Sequence, residues 1–171
     1  IITIGDELLI GQVIDTNSTW MAQELNKIGI GVNKRIAIGD TEAGIIDAIN
    51  TEIGKATIIL ITGGLGPTKD DITKDVLCKY FETELEENEI ALKNIKQIFE
   101  KRNRVLQEVN IKQAWLPKSC TPIQNKNGTA PGMLFQKNNT TLISMPGVPF
   151  EMKCMMEENN VDTIYLKAIK P

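Results

Sequence analysis

Thr62-Gly63-Gly64-Leu65-Gly66-Pro67-Thr68-Lys69-Asp70-Asp71, entered from the apolar residues 57–61, is the stretch whose reading decides the fold. It reads as a buried strand opening into a glycine-rich turn and then into a helix that carries Ile72, Val76, Leu77 and Tyr80 at helical spacing. Glycine lacks a Cβ, so the backbone can turn sharply and approach a ligand closely. A strand feeding such a turn sets bare N–H groups beside an anion, and Pro67 stiffens it. Asp70 or Asp71 is expected to cap the helix, which leaves the other carboxylate free to face a ligand. An ordinary connection with a redundant acid at a helix N-terminus accounts for the same residues about as well. The glycine spacing fits neither the Walker phosphate loop nor the dinucleotide-binding fingerprint.

Upstream of this stretch, strand and helix signals alternate in the order of an open, mostly parallel sheet covered on both faces. Residues 1–4 form a short apolar strand ending at Gly5, Asp6 and Glu7. Asp15, Thr16 or Asn17 starts a helix that turns Met21, Ala22, Leu25 and Ile28 inward, stopped by Gly29 and Gly31. A second strand at residues 35–38 leads through Gly39, Asp40 and Thr41 into a helix with Ile45, Ile46, Ile49 and Ile53 on its apolar face. Ligands of such sheets bind outside the carboxyl ends of the strands, where Asp6, Asp40 and the pair Asp70 and Asp71 all lie. Each aspartate taken singly also suits a turn or a cap.

Downstream, residues 82–104 are highly charged, with Ile90, Ile95, Ile98 and Phe99 at helical spacing, and residues 113–117 end a further helical stretch. The region at about 82–115 reads as a helical excursion from one domain spanning residues 1–171. Asn127-Gly128-Thr129-Ala130-Pro131-Gly132 precedes a strand at residues 133–135, and Asn138 and Asn139 turn it into residues 141–145, a β-hairpin at the sheet edge. Met145-Pro146-Gly147-Val148-Pro149 then forms a rigid turn into a helix opened by Pro149, and residues 163–166 read as a last strand.

Composition narrows the function classes. With 171 residues, 42% of them hydrophobic, and a net charge of −3, the chain can bury a proper core and offers nucleic acid no broad basic surface. The apolar runs are too short to cross a bilayer and no leader precedes Ile1, so a cytoplasmic protein is expected. Three widely spaced cysteines argue against a disulfide framework and a thiolate metal site. With no histidine, Ser-His-Asp chemistry and histidine-ligated zinc are excluded; a metal would be held by oxygen, as suits magnesium or manganese.

Gly5-Asp6-Glu7-Leu8-Leu9, Asp15-Thr16-Asn17, the run 62–71, the run 127–132 and the run 145–152 together resemble, in order, the N-terminal domain of the CinA family of competence/damage-inducible proteins. That domain belongs to the wider molybdopterin-binding family. The resemblance implies a three-layer α/β/α sandwich with a mostly parallel mixed sheet. For CinA-like domains it further implies hydrolysis of ADP-ribose to AMP and ribose 5-phosphate with magnesium, manganese or cobalt. Under it, Asp71 and Asp70 serve catalysis, Asp71 also meets the metal with Asp6 and Asp40, and Gly63, Gly64, Gly66 and Thr68 face the phosphates. Gly128, Thr129, Gly132, Pro146 and Gly147 would then line the nucleoside end. A glutamate-rich Nudix helix is missing. Longer members carry a C-terminal deamidase that is absent from these residues, and the start at Ile1 without methionine suggests a fragment. Homo-oligomers are common in the wider family. Pterin binding with adenylyl transfer, as in molybdenum cofactor synthesis, is the alternative on the same scaffold, and a non-catalytic nucleotide-binding module is another.

Overall fold

The computed structural model describes residues 1–158. Strands β1 (Ile2–Ile4), β2 (Ile36–Ile38) and β3 (Ile58–Thr62) alternate with helices α1 (Asp6–Leu9), α2 (Thr16–Lys27) and α3 (Glu42–Glu52). Then come α4 (Thr73–Tyr80), β4 (Leu85–Glu87), α5 (Glu89–Lys101), α6 (Glu108–Ile111), a 3-10 turn at Lys112–Ala114 and β5 (Trp115–Pro117). β6 (Thr121–Ile123), β7 (Gly132–Lys137), β8 (Thr140–Met145) and α7 (Pro149–Glu158) complete the fold. The strand expected at 163–166 lies outside the described residues.

The main sheet runs in the order β2-β1-β3-β8-β7-β6, with β2, β1, β3 and β8 mutually parallel, β7 antiparallel to β8, and β6 antiparallel to β7. Period-two alternation sorts its side chains into two layers. Ile59, Ile61 and Leu142 join Ile45 and Ile49 of α3 and Val76 and Leu77 of α4, whereas Leu60, Ile143 and Met145 join Met21 and Leu25 of α2 and the α7 methionines Met152, Met155 and Met156. The α/β/α sandwich follows from that division. The β7–β8 hairpin turns at Asn138 and Asn139, whose φ values of 51° and 60° make the left-handed pair a tight hairpin needs. One strand lies outside this hairpin: β6, whose Pro122 donates no hydrogen bond and so suits an edge.

The excursion differs from a plain helical insert. β4 and β5 pair antiparallel and clip its two ends together, and α5 packs Ala91 and Ile95 on Ala114. Ile90 is exposed, because the inward face of α5 is set by Ala91, Ile95 and Ile98. Ile28 of the expected apolar face is likewise exposed, lying past the last turn of α2. Among the described residues no helix is long and apolar enough to cross a membrane.

Candidate functional site

β1 lies between β2 and β3, so the chain leaves β1 to one side and returns to the sheet on the other. The strand ends at such a reversal leave a crevice between their loops. Here it measures about 400 Å³ and is walled by the turns after β1, β3 and β8, by the 129–130 loop and by Gln113 of the excursion.

The glycine turn is shaped by its neighbours. Gly63 has φ 115°, and a Cβ there would run into the carbonyl oxygen of Ile4 in β1. Its N–H donates to Met145 O at 3.2 Å, and the Thr62 hydroxyl donates to Pro146 O at 2.7 Å. Asn17 Nδ2 donates to Thr62 Oγ1 at 3.1 Å and to Gly147 O at 2.8 Å, which ties the turns after β3 and β8 to the start of α2. Asp15 caps α2 as the sequence implies, accepting from Ser18 N at 2.9 Å.

Two expectations about this turn are corrected. Neither Asp70 nor Asp71 caps α4, which starts later, at Thr73, with Ile72 in the N-cap position and no side-chain cap. Thr73 N instead donates to Gly64 O at 3.1 Å. Asp71 turns back on its own loop, where its carboxylate accepts from Thr68 N at 2.9 Å and from the Thr68 hydroxyl. Thr68 therefore spends its donors on Asp71 and lines the neighbouring cleft instead of the crevice.

Glu7, Asp40, Asp70, Asp71 and Glu151 line the crevice, and among the described residues no lysine or arginine does. Asp6 and Asp40 clasp each other's backbone: Asp6 N donates to Asp40 Oδ2 at 3.0 Å, and Asp40 N to Asp6 Oδ1 at 3.2 Å. Asp6 is thereby turned toward β2 and is not in the crevice wall. Partial burial pushes the Asp40 carboxyl above its ordinary 3.8, and the negative charges of Asp6, Glu7 and Asp71 add to that rise against the lowering effect of the Asp6 N–H. Among the described residues no three acidic side chains are grouped closely enough to hold an ion unaided.

The sign of the Asp40 effect is testable. A carboxyl with a raised folded-state pKa favours folding below the ordinary 3.8 and loses that advantage as pH rises through the raised value. In metal-free buffer, Asp40→Asn should therefore melt above the parent near neutral pH, with the gap closing toward about pH 3.8; thermal melts across this range check it.

The 127–132 run divides. Thr129 and Ala130 line the crevice, as do Pro146 and Gly147, but Gly128 and Gly132 do not. Gly128 is packed on the Glu151 carboxylate, and Gly132 begins β7 against Met155 Sδ, so both are small to let neighbours close in. The loop is organised by Asn125, only 2% exposed. Its Oδ1 accepts from Asn127 N and Gly128 N, while Nδ2 donates to Ala130 O at 2.9 Å and to Glu151 Oε2 at 2.7 Å. Asn125→Ala strands several buried partners and is expected to cost about 2–4 kcal/mol in urea unfolding.

The crevice also holds Glu7 and Glu151, quoted in motifs but assigned no role, and Gln113, for which no local pattern exists. The cysteines stand apart from it. All three are free thiols; burial raises the Cys78 pKa and takes that of Cys120 to about 12, which disfavours the thiolate at both.

Similarity to known proteins accords with this geometry. Residues 1–164 match the family described as probable molybdopterin binding domain. A CinA-like protein of Flavobacterium psychrophilum is 46% identical over 100% of this chain and 41% of its own length. A putative competence-damage inducible protein of Clostridium beijerinckii is 45% identical over 93% of this chain and 39% of its own. The chain thus spans about two fifths of these relatives. The crystal structure of CinA from Thermoplasma acidophilum, a protein of unknown function by its description, superposes with a TM-score of 0.84 at 32% identity, covering 95% of each chain. The tungsten cofactor synthesizing protein MoaB from Pyrococcus furiosus shares the fold at a TM-score of 0.61 and 18% identity, over 97% of this chain and 91% of its own. With the parallel sheet, the glycine turn and the acidic crevice all in place, the chain belongs to the molybdopterin-binding domain family and, within it, to the CinA-like proteins.

Proposed function

We propose that the crevice binds a phosphorylated small molecule of the pterin or nucleotide class, its phosphates toward Gly63, Gly64 and Gly66. The carrying observation is the wall itself: a glycine turn at a strand end beside five carboxylates, with no basic side chain among the described residues. The Gly63 N–H is spent on Met145 O, which leaves the rest of the turn's backbone to offer donors to phosphate; the carboxylates repel it, so a counter-cation has to accompany the ligand. Magnesium is commonly held by one or two carboxylates together with substrate phosphates and waters, which matches a site with acidic oxygens but no closed protein cage. Asp40, Asp70 and Asp71 are the residues that would hold such an ion. Asp6 positions Asp40 through the reciprocal backbone bonds.

The family description supports a pterin ligand. Hydrolysis of the ADP-ribose pyrophosphate is a second reading, favoured by the concentration of carboxylates at the turn. A divalent ion bound there would neutralise the diphosphate and acidify a bound water. In that reading Asp70, exposed and without a side-chain hydrogen bond among the described residues, is placed to take a proton from the attacking water, and Asp71 holds the turn in shape. Association into homo-oligomers is supported by Ile10 and Ile14, apolar residues left 74% and 82% exposed.

Calorimetric titration with neopterin monophosphate and with ADP-ribose, in magnesium and in chelator, with analysis of products, separates the readings. Pterin binding without turnover supports the first. Magnesium-dependent release of AMP supports the second, and binding of neither ligand sinks both.

A further inference from the structure

Beside the crevice lies a second cavity of about 580 Å³ between the glycine turn, α4 and the excursion. The two share Gly66, Pro67, Asp71 and Gln113, so a ligand seated at the turn can reach from one into the other. The second cleft is less acidic and more apolar in character, with Leu85, Val109, Ile111 and the indole of Trp115 in its wall. Trp115, one of its lining residues, is 41% exposed overall. An open aromatic face at a concave surface is suited to stacking.

Gln113 supplies an independent sign. It is 5% exposed, and its Oε1 is fully buried with no hydrogen-bond partner. A buried unpaired acceptor is costly to keep, and because Gln113 lines both cavities, a turn of its side chain would present Oε1 to a donor brought by a ligand. An ionised phosphate cannot be that donor, whereas a ring N–H can. The segment carrying Gln113 is held firmly, since Lys74 Nζ reaches from α4 to donate to Lys112 O at 2.8 Å. Asn17 Oδ1 is also buried and unpaired, but Asn17 lines a recess of only about 130 Å³ on the side of Thr62 and Gly147.

We infer that this cleft takes the flat heteroaromatic ring of the ligand, Gln113 Oε1 accepting an N–H from the ring edge (the exocyclic amino group of an adenine, the amino group or ring N–H of a pterin) and the Trp115 indole lying against the ring face. The inference rests on the phosphate-binding reading of the crevice. It sets the ring on the side of the excursion, in a cleft that the Thr129 and Pro146 loops do not line, whereas the family resemblance implies a nucleoside at those loops.

Tryptophan fluorescence and calorimetry test it, with AMP and neopterin as ring-bearing ligands and magnesium pyrophosphate as the ringless control. At least one ring-bearing ligand should quench the emission, pyrophosphate should not, and Trp115→Phe should abolish the quench, leaving only Trp20 to report. Gln113→Leu should weaken that ligand about tenfold while pyrophosphate binds as before. The inference fails if a ring-bearing ligand binds the parent yet quenching survives Trp115→Phe and Gln113→Leu has no effect. It also fails if pyrophosphate binds but neither ring-bearing ligand does. If none of the three binds, the crevice reading fails first and takes this inference with it.

Discussion

Gly63→Ala is expected to lower stability by about 3 kcal/mol or more and to abolish ligand binding. Two independent costs meet at this residue. A φ of 115° is a conformation that side chains rarely adopt, and the added Cβ would press on Ile4 O, with Ile4 C at 3.1 Å and Ile4 Cβ at 3.3 Å. Ile4 cannot step aside cheaply. Its strand is held between β2 and β3, with Ile2 opposite Ile36 and Ile61, and Thr3 opposite Ala37 and Thr62. Any relief must part β1 from β3 at the mouth of the crevice. Gly11→Ala provides the control: φ there is 73°, but no atom lies within 4 Å of the added Cβ, so only the backbone cost of about 1 kcal/mol applies. Urea unfolding of both variants checks the difference; equal losses would mean that contact with Ile4 is not what requires glycine.

Asp71→Asn should leave the fold within about 1 kcal/mol of the parent yet weaken magnesium-dependent ligand binding on the order of a hundredfold. Asparagine keeps an acceptor for Thr68 N, so the loop can persist, but the charge is lost. Because the Asp71 charge helps raise the Asp40 pKa, the variant should also let Asp40 titrate lower. Binding titrations in magnesium and in chelator measure the first effect, and carbonyl-region NMR titration of Asp40 the second. Unchanged binding in magnesium would reduce Asp71 to a loop-shaping residue.

What was legible in the sequence followed from local pattern. The run 57–62 shows an apolar strand ending in glycines, and the double asparagine at 138–139 marks a hairpin through its tolerance of positive φ. Thr41 and Asp15 announce their helices through side chains that cap them. Asp71 lines the crevice, but neither it nor Asp70 caps the helix as expected, because nothing in Asp70-Asp71-Ile72-Thr73 distinguishes a helix start at Thr73 from one two residues earlier. Gly132 reads as a loop glycine, whereas it opens β7, where an added Cβ would meet Ser144 O at 3.0 Å as well as the Met155 sulfur of α7. β4 escaped notice since Leu85-Glu86-Glu87 has three residues and acquires its strand only by pairing with β5 across α5 and α6. Asn125 and Gln113 had no signal at all. A buried amide is recognised by its partners or their lack, and those come from distant parts of the chain.

Backbone amide chemical-shift mapping with magnesium and ADP-ribose, repeated with magnesium and neopterin monophosphate, bears most directly on the claim that the crevice is the ligand site. At least one of these ligands should shift the amides of Gly63, Gly64, Gly66, Asp71, Thr129 and Gly147 together, with weaker changes when magnesium is chelated. Binding that leaves this set unmoved while shifting amides elsewhere would contradict the account.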